Sequence, residues 1–496
     1  MAINITCWNR LPPEILNEVI GLLPILGGKC SQLATVSRVW RSTIEPLNFA
    51  KISLTVPRLT DPYSQAILAR KRNQIRYIWF RVELKQYDCT QCANDDEDQW
   101  GLDKVDNQFI VDAFEDLFTM LSVWEPRGNL VLDISVYSPS DNQHWFKYIT
   151  FSSDTSVGEL PHHGHEHGAT VNDPAHGWIT GQPIVAPDEL AIEHVFDEVM
   201  GEGPFPDEET EMQWWRSLPY VPVVGAVRFR QQTRRRWKPL AIANMLTRFP
   251  NIKEICYEPW REWDGMERQT DEWNQKLIIS LPEGLLRKLV IFENDNESYA
   301  ESYRAPAIRV ARRAVSLKLA RTSQHLEMLS ASFMVDASHF FAAPQTHDSW
   351  TWSKLTSLAL TSKVLTGDAD QLHVNSMLQN AAATALRMPR LNIMELWNGR
   401  KGVAMLFRYQ RVREDGQSAI ITIRGTSELV LGTAVVEAWD MVAYRHCHSK
   451  VAIQTSSIDP NEIRSHGDAI CHLGLLTEVT RPVSLRQIIN EHRSHA

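Results

Sequence analysis

The chain has 496 residues, a net charge of −9, 43% hydrophobic residues and 22% charged residues. These fractions are ordinary for a globular protein, and the acidic balance argues against a nucleic-acid binder. No apolar run reaches the roughly eighteen residues of a spanning helix, and the N-terminus lacks a secretory signal pattern. The seven scattered cysteines favour a reducing compartment, so we expect a cytoplasmic or nuclear protein without membrane or nucleic-acid partners.

The first fifty residues predict two amphipathic helices joined by a glycine-containing turn. The first helix begins at Pro12 and Pro13, where the first turn needs no amide protons, and carries apolar residues at the helical period. A second helix is predicted over Ser31–Ile44, with Ser31 as its cap and Pro46 as its end. Two helices of this size bury little surface, so we expect a partner to cover them. The alternative is that they form part of the main core.

Two short motifs in this stretch resemble the F-box, a helical module that docks substrate receptors onto the Skp adaptor of SCF-type ubiquitin ligases. The first is the hexapeptide Leu11–Leu16, and the second is the Val-Ser-Arg-x-Trp-Arg run at Val36–Arg41. The matching residues are Leu11, Pro12, Pro13, Glu14, Ile15, Leu16, Ile20, Leu23, Leu33, Val36, Ser37, Arg38, Trp40 and Arg41. The connection Ile25–Cys30 departs from the usual Pro-x-Asp-Leu and leaves the turn geometry open.

The resemblance covers residues 8–50 and implies a set of adaptor-binding side chains. These are Leu11, Pro12, Ile15, Leu16, Val19, Ile20, Leu33, Val36 and Trp40. It also implies that a cullin is recruited through the adaptor. The remainder of the chain, residues 51–490, is similar in style to the large C-terminal region of fungal F-box-like proteins and contributes no functional motif of its own.

After the helical pair, strands and helices alternate, which predicts an α/β fold. The predicted strands are Ala50–Val56, Ile75–Leu84, Leu130–Tyr137, Val223–Phe229, Ile252–Tyr257, Leu286–Phe292, Leu326–Met334, Lys354–Leu360, Leu391–Trp397, Val403–Tyr409 and Ala419–Arg424. The predicted helices are Ser64–Asn73, Phe109–Val123, Pro239–Arg248, Ala307–Leu319, Gln371–Arg387 and Thr433–Arg445.

Four of these strands share a regular spacing. Ile255, Leu289, Leu358 and Ile393 are separated by 34, 69 and 35 residues, and Met328 or Leu329 falls near the middle of the longest gap. One strand and one helix per step, stacked side by side, is typical of a leucine-rich-repeat solenoid. We therefore expect an irregular leucine-rich-repeat-like solenoid of strand–helix units over residues 51–490. The alternative is an ordinary α/β domain with evenly spaced strands.

Residues 138–218 interrupt the alternation with glycines, prolines, histidines and acidic residues. So long a connection is unusual inside a compact domain, so we interpret it as a loop-rich, partly mobile insertion with one helix near Pro187–Met200. Its cluster of His162, His163, His165 and His167 could chelate zinc or nickel. Its flanking glycines favour a solvated loop instead.

Cys89 and Cys92 form a single Cys-x-x-Cys pair. Zinc would require a second pair, and no other closely spaced cysteines follow. The acidic residues after the pair disfavour thiolates. We therefore predict a loop here, and neither a metal nor a cofactor for the chain.

A basic run contains Arg228, Arg230, Arg234, Arg235 and Arg236 around Trp237. Clustered guanidinium groups can bind acidic or phosphorylated targets bidentately. A solvated strand end or a nuclear address would use the same residues. Arg309, Arg312 and Arg313 extend the same face if the repeats stack.

The chain shows no catalytic motif of the hydrolase, phosphate-binding, metalloprotease or dinucleotide types. We therefore expect a non-enzymatic substrate receptor of an SCF-type ubiquitin ligase, with an unknown protein target held by the C-terminal region. Two alternatives stay open: an F-box scaffold acting outside a ligase, and a metal-dependent enzyme that uses the histidine cluster.

Overall fold

The computed structural model describes residues 12–23, 30–95, 102–126, 128–154, 172–262, 265–297, 299, 308–347, 349–412 and 418–493. Over these ranges the predicted α/β class is confirmed, since strands and helices alternate around one large sheet. The strands are β1 (Lys51–Thr55), β2 (Tyr77–Glu83), β3 (Leu130–Tyr137), β4 (Trp178–Ile179), β5 (Gln182–Pro183), β6 (Glu198–Val199), β7 (Val224–Phe229), β8 (Arg236–Trp237), β9 (Glu254–Tyr257), β10 (Lys288–Phe292), β11 (Met328–Ser332), β12 (Ser357–Thr361), β13 (Ile393–Arg400), β14 (Val403–Val412), β15 (Ser418–Gly425) and β16 (Val451–Ser457).

The α-helices are α1 (Pro13–Leu22), α2 (Arg38–Ala50), α3 (Val56–Thr60), α4 (Pro62–Lys71), α5 (Lys104–Ser122), α6 (Glu189–Val195), α7 (Glu208–Ser217), α8 (Pro239–Leu246), α9 (Glu267–Ile279), α10 (Arg313–Thr322), α11 (Ala337–Ala342), α12 (Gln371–Ala385), α13 (Thr433–Cys447), α14 (His466–Leu473) and α15 (Pro482–Arg493). Short 3-10 helices lie at Cys30–Thr35, His144–Phe146, Pro174–His176, Ser323–His325, Pro344–Thr346 and Pro460–Glu462.

Twelve strands form the large sheet, in the order β1-β2-β3-β7-β9-β10-β11-β12-β13-β14-β15-β16. All neighbouring pairs from β1 to β13 are parallel, then β13, β14 and β15 are antiparallel, and β16 joins β15 in parallel. Successive strands of this sheet are therefore spatial neighbours. The helices between them pack in succession from α8 to α13 and cover one face.

The periodic apolar residues found in the sequence occupy one register row. Ile255 pairs with Leu289, Leu289 with Leu329, and Leu329 with Leu358. These side chains belong to the main apolar cluster beneath the helices. Burial of both faces of the sheet is typical of parallel strands. The last predicted member is off by one residue, because Leu358 pairs with Met394 rather than with Ile393.

The opposite sheet face carries a different row. Asp133 pairs with Arg228, Arg228 with Cys256, and the row continues through Val290, Ser330 and Ala359 to Glu395. Helices α14 and α15 and the segment leading into them cover part of this face, for example through Ile463 and Ala469 against Trp397. The sheet therefore has an apolar face under the helices and, under the C-terminal segment, a face that combines this row with apolar side chains such as Phe292 and Trp397.

The sequence missed several helices of low apolar content, notably α9, and the C-terminal pair α14 and α15. In the insertion, the predicted helix near Pro187–Met200 is present as α6, and α7 follows it. Residues of the insertion, including Phe146, Trp178 and Phe196, share a third apolar cluster with Trp260 and Tyr299, which lie beyond it. The described part of the insertion is thus packed, although much of its backbone is irregular, and the histidines at 162–167 lie outside the described residues.

None of the helices in the described ranges combines the length and apolar content that crossing a bilayer requires.

Candidate functional site

The two-helix module, which comprises residues 12–23 and 30–50, has its own small core. Ile20 on α1, Ala34 in the 3-10 turn and Ile44 on α2 are buried together, and Leu16, Leu23, Leu33 and Trp40 pack around them. This cluster is separate from the main apolar cluster of the sheet body, residues 51–493. Such a core is small for an independent unit, and among the described residues several apolar side chains of the module lie outside it.

The local structure of the module differs from the sequence prediction at both ends of the second helix. Ser37, not Ser31, is the N-cap: its side chain accepts a hydrogen bond from the Trp40 amide at 3.3 Å. Residues Cys30–Thr35 form a 3-10 turn instead of a helical start. Pro46 lies inside α2 rather than ending it, and the helix continues to Ala50, directly before β1.

Five large apolar side chains of the module are exposed. They are Ile15 and Leu22 on α1, Val36 in the connection, and Val39 and Leu47 on α2, with exposed fractions between 43% and 61%. Exposed apolar surface on neighbouring elements marks an interaction site more often than scattered single residues do.

The predicted adaptor-binding residues divide into three groups. Pro12, Ile15 and Val36 are exposed, and Leu16, Val19, Leu33 and Trp40 are half-buried. Ile20 is fully buried in the core of the module, so its prediction as a contact residue is wrong: it supports the exposed residues from behind. Leu11 lies outside the described residues.

The module joins the sheet body through few contacts. Helix α2 runs directly into β1, and the Lys71 ammonium on α4 pairs with Glu45. The same ammonium lies 5.3 Å from the centre of the Phe49 ring. These contacts hold the C-terminal end of α2 and leave the exposed residues on α1 and before α2 uncovered in the described part of the chain.

The basic run lies inside the sheet body rather than on its surface. Arg230 Nε lies 2.8 Å from Asp133 Oδ2, and its Nη2 donates to the Ser152 carbonyl at 2.9 Å. Arg228 pairs with Asp154, and Arg236 pairs with Glu262. Arg230 is almost fully buried, so its charge balances an internal carboxylate.

Arg234 and Arg235 are buried as well. Arg234 pairs with Glu491 on α15 and stacks on the Trp260 ring at 4.3 Å. Although burial by itself raises the pKa of the Glu491 carboxyl, Arg234 and hydrogen bonds from other groups hold that pKa below its usual value. Arg235 pairs with Asp141 at 3.3 Å and donates to the His194 carbonyl at 2.7 Å.

The prediction of a basic target-binding surface is therefore wrong for Arg230, Arg234 and Arg235. Each guanidinium is enclosed and already bonded to a carboxylate of this chain, so none of the three is available to an acidic target. Arg309 follows the same pattern, since it pairs with Glu293 and Asp271. We call the buried ion pairs of Arg230, Arg234 and Arg235 the arginine network. It connects β3, the segment that follows β7, and α15.

A cavity of about 240 Å³ opens at the carboxyl ends of β10 to β13. Ligands of open parallel sheets commonly bind at this edge. Both signs of charge line the cavity, including Asp295, Lys363, Asp368 and Arg400, with His466 at its base. His466 Nε2 lies 2.7 Å from Asn294 Oδ1. Burial, with a smaller contribution from His492, lowers the pKa of His466 to about 3. We call this the carboxyl-edge cavity.

One group of residues with metal-ligand chemistry converges elsewhere. Cys89, Cys92, His144 and His176 place one potential ligand atom each within 4.8 Å of one another. Cys92 lies in a turn, as the loop prediction requires, but its side chain is buried. Sequence spacing could not reveal the cluster, because the two histidines lie 52 and 84 residues beyond Cys92.

A family of unknown function, DUF6546, matches residues 280–481. The matched range is less than half of the chain. It contains strands β10 to β16 and most of the cavity lining, and it excludes the two-helix module and the Cys–His cluster. No curated protein matches the chain.

Proposed function

We propose that the protein is a substrate-receptor subunit of an SCF-type ubiquitin ligase, which docks on the Skp adaptor through its two-helix module. The observation that carries this proposal is the small separate core of the module, which leaves Ile15, Leu22, Val36, Val39 and Leu47 exposed. The conjugation chemistry belongs to other subunits, and this chain positions the target. The compartment we infer is cytoplasmic, nuclear or both.

The size of the exposed surface sets how sensitive docking is to substitution. Covering the exposed half of five such side chains contributes roughly 4–8 kcal/mol, at about 1.5–3 kcal/mol per fully buried side chain. Association costs about 4–15 kcal/mol. The half-buried Leu16, Val19 and Trp40 must therefore contribute too, and loss of one or two contacts is expected to abolish measurable binding.

We infer that the strand–helix units of the sheet body stack as an irregular leucine-rich-repeat-like solenoid that presents the target. Consecutive parallel strands with one apolar register row support this inference. The carboxyl-edge cavity is the favoured target-binding position, because its lining from Glu293 to Arg400 lies where four strands end. Its mixed charges suit a target segment that carries both acidic and basic side chains.

Adaptor docking is tested with the exposed residues, because substituting them does not disturb the core of the module. The double variant Ile15→Asp/Val36→Asp is expected to lose at least 100-fold in affinity for purified Skp adaptor, measured by calorimetry with the full chain. Each aspartate would carry a desolvated charge into an apolar interface. The control is Val123→Asp/Leu372→Asp, which replaces two apolar residues of the sheet body that are more exposed than Ile15 and Val36.

Wild-type affinity in the Ile15→Asp/Val36→Asp variant would refute the docking proposal. A second arm separates a ligase from a scaffold: purified complexes that contain the adaptor without cullin would favour a scaffold. Targets are sought by proximity labelling in cells, comparing wild type with Lys363→Glu/Arg400→Glu. This variant should lose target labelling and keep the adaptor.

A further inference from the structure

We propose that Cys89, Cys92, His144 and His176 bind one zinc ion that fixes the inserted segment to the sheet body. The four residues come from three separate segments. The cysteines lie in the loop that follows β2, His144 follows β3, and His176 ends the 3-10 helix Pro174–His176 of the insertion. Because β2 and β3 are parallel neighbours, their carboxyl ends bring the first two segments together at one edge of the sheet.

The distances fit a tetrahedral site. In a zinc tetrahedron with bonds of about 2.3 Å to sulfur and 2.0 Å to nitrogen, a sulfur and a nitrogen ligand lie about 3.5 Å apart. Cys89 Sγ lies 3.3 Å from His176 Nε2, and Cys92 Sγ lies 3.5 Å from the same nitrogen. The whole set of ligand atoms falls within 4.8 Å, so a modest contraction closes the fourth corner.

His176 is oriented as zinc-binding histidines usually are. Its Nδ1 lies 2.8 Å from Asp173 Oδ2, and the Lys147 ammonium holds the same carboxylate oxygen at 2.7 Å. A carboxylate that accepts from one ring nitrogen fixes the tautomer and leaves the other nitrogen free to bind metal. In His176 that other nitrogen, Nε2, faces both sulfur atoms.

His144 supplies an independent observation. Its Nε2 is buried and has no hydrogen-bond partner among the described residues. A buried nitrogen without a partner costs about 1–3 kcal/mol, and a metal bond would remove this cost. Its backbone has φ of 50°, in the left-handed region that is uncommon for residues other than glycine. In this conformation the centre of the His144 ring lies 4.9 Å from the centre of the His176 ring.

Two thiolates and two imidazoles complete the coordination of zinc and leave no position open for substrate. The site is therefore structural. It connects the loop after β2 to the first hairpin of the insertion, β4–β5, which begins two residues after His176. This inference is independent of adaptor docking, since the cluster lies far along the chain from the two-helix module and contains none of its residues.

The first test is the zinc content of tag-free full-length protein, measured by plasma mass spectrometry after purification without chelator. We expect one zinc per chain in wild type, and substoichiometric zinc in Cys92→Ser and in His176→Ala. The matched control is His163→Ala/His165→Ala, which removes two histidines of the other cluster and should keep one zinc. Zinc that is retained in both ligand variants and lost in the control would overturn the assignment.

A second measurement does not depend on folded ligand variants. Wild-type protein reconstituted with cobalt(II) should show the thiolate charge-transfer band and the intense visible bands of a tetrahedral site. Asp173→Asn should bind zinc 10–100-fold more weakly, as expected for loss of a carboxylate that orients a ligand, while the cobalt spectrum keeps its tetrahedral form. Metal-free wild type with a Cys89–Cys92 disulfide, detected by mass spectrometry, would refute the proposal.

Discussion

The two-helix module and the sheet body differ in which side chains they expose and which they bury. In the described part of the module, apolar residues such as Val36 are exposed, and Ile20, Ala34 and Ile44 are the buried hydrophobic side chains. In the sheet body, charged residues such as Arg230 and Asp133 are enclosed and paired with each other. The module therefore has surface left to offer to another protein, whereas the most conspicuous charges of the body are already used internally.

The difference follows from size. A unit of about forty residues cannot enclose its own apolar side chains, so they remain for a partner. A body with a long two-sided sheet must fill its second face, and here a C-terminal segment covers it. Buried charges are tolerated in such a place only when they are paired and hydrogen-bonded. A partner-binding site in this chain is therefore marked by exposed apolar residues better than by clustered arginines.

The largest effect on this contrast between the module and the sheet body is expected from Arg230→Ala. Removing this side chain leaves the fully buried Asp133 carboxylate without its charged partner, which typically costs about 3–5 kcal/mol. We expect a large fall in the midpoints of thermal and urea unfolding of the sheet body. Intrinsic tryptophan fluorescence measures both midpoints.

The matched control for this substitution is Arg268→Ala. Arg268 pairs with Glu272 across one turn of α9, with 76% of its side chain exposed, and such a pair contributes little. If both variants unfold at the wild-type midpoint, the arginine network does not stabilise the body and the contrast with the module fails.

Local pattern was enough to predict most strands of the large sheet and the apolar row, because Ile255 and Leu289 repeat at the spacing of one strand–helix unit. The arginine network was beyond reach, since Arg230 and Asp133 are 97 residues apart and Arg234 and Glu491 are 257 apart. A run of arginines has the same sequence pattern whether the carboxylates that pair with it belong to a target or to distant parts of the same chain. The Cys–His cluster was missed for the same reason.

A smaller effect is expected from pH at the base of the carboxyl-edge cavity. Because the pKa of His466 is about 3 in the folded protein and about 6.5 when unfolded, the unfolded state takes up a proton first as pH falls. The contribution of neutral His466 to the stability of the folded protein is therefore complete above pH 6.5 and is lost progressively between pH 6.5 and 3. By pH 5 the loss is on the order of 2 kcal/mol, at 1.36 kcal/mol per pH unit.

His466→Gln should flatten this dependence, because glutamine keeps a hydrogen-bonding group toward Asn294 and takes up no proton. The urea midpoint of wild type and variant would be compared from pH 7.5 to 5. His373→Gln, at an exposed position on α12, serves as the control and should follow the wild-type curve. Parallel curves for His466→Gln and wild type would show that His466 does not titrate as its burial implies.

The smallest expected effect concerns the start of α2 and sharpens the comparison from the side of the module. Ser37→Ala removes the side-chain oxygen that accepts from the Trp40 amide, and loss of such a cap costs about 1 kcal/mol. Ser42→Ala, in the same helix, removes only an exposed hydroxyl that donates to the Val39 carbonyl and should be near neutral. Because the module is held to the body by few contacts, the cost of Ser37→Ala should appear as roughly fivefold faster hydrogen exchange of α2 amides. The unfolding midpoint of the sheet body should not change. Equal exchange rates in the two variants would mean that the start of α2 is held by something other than this cap.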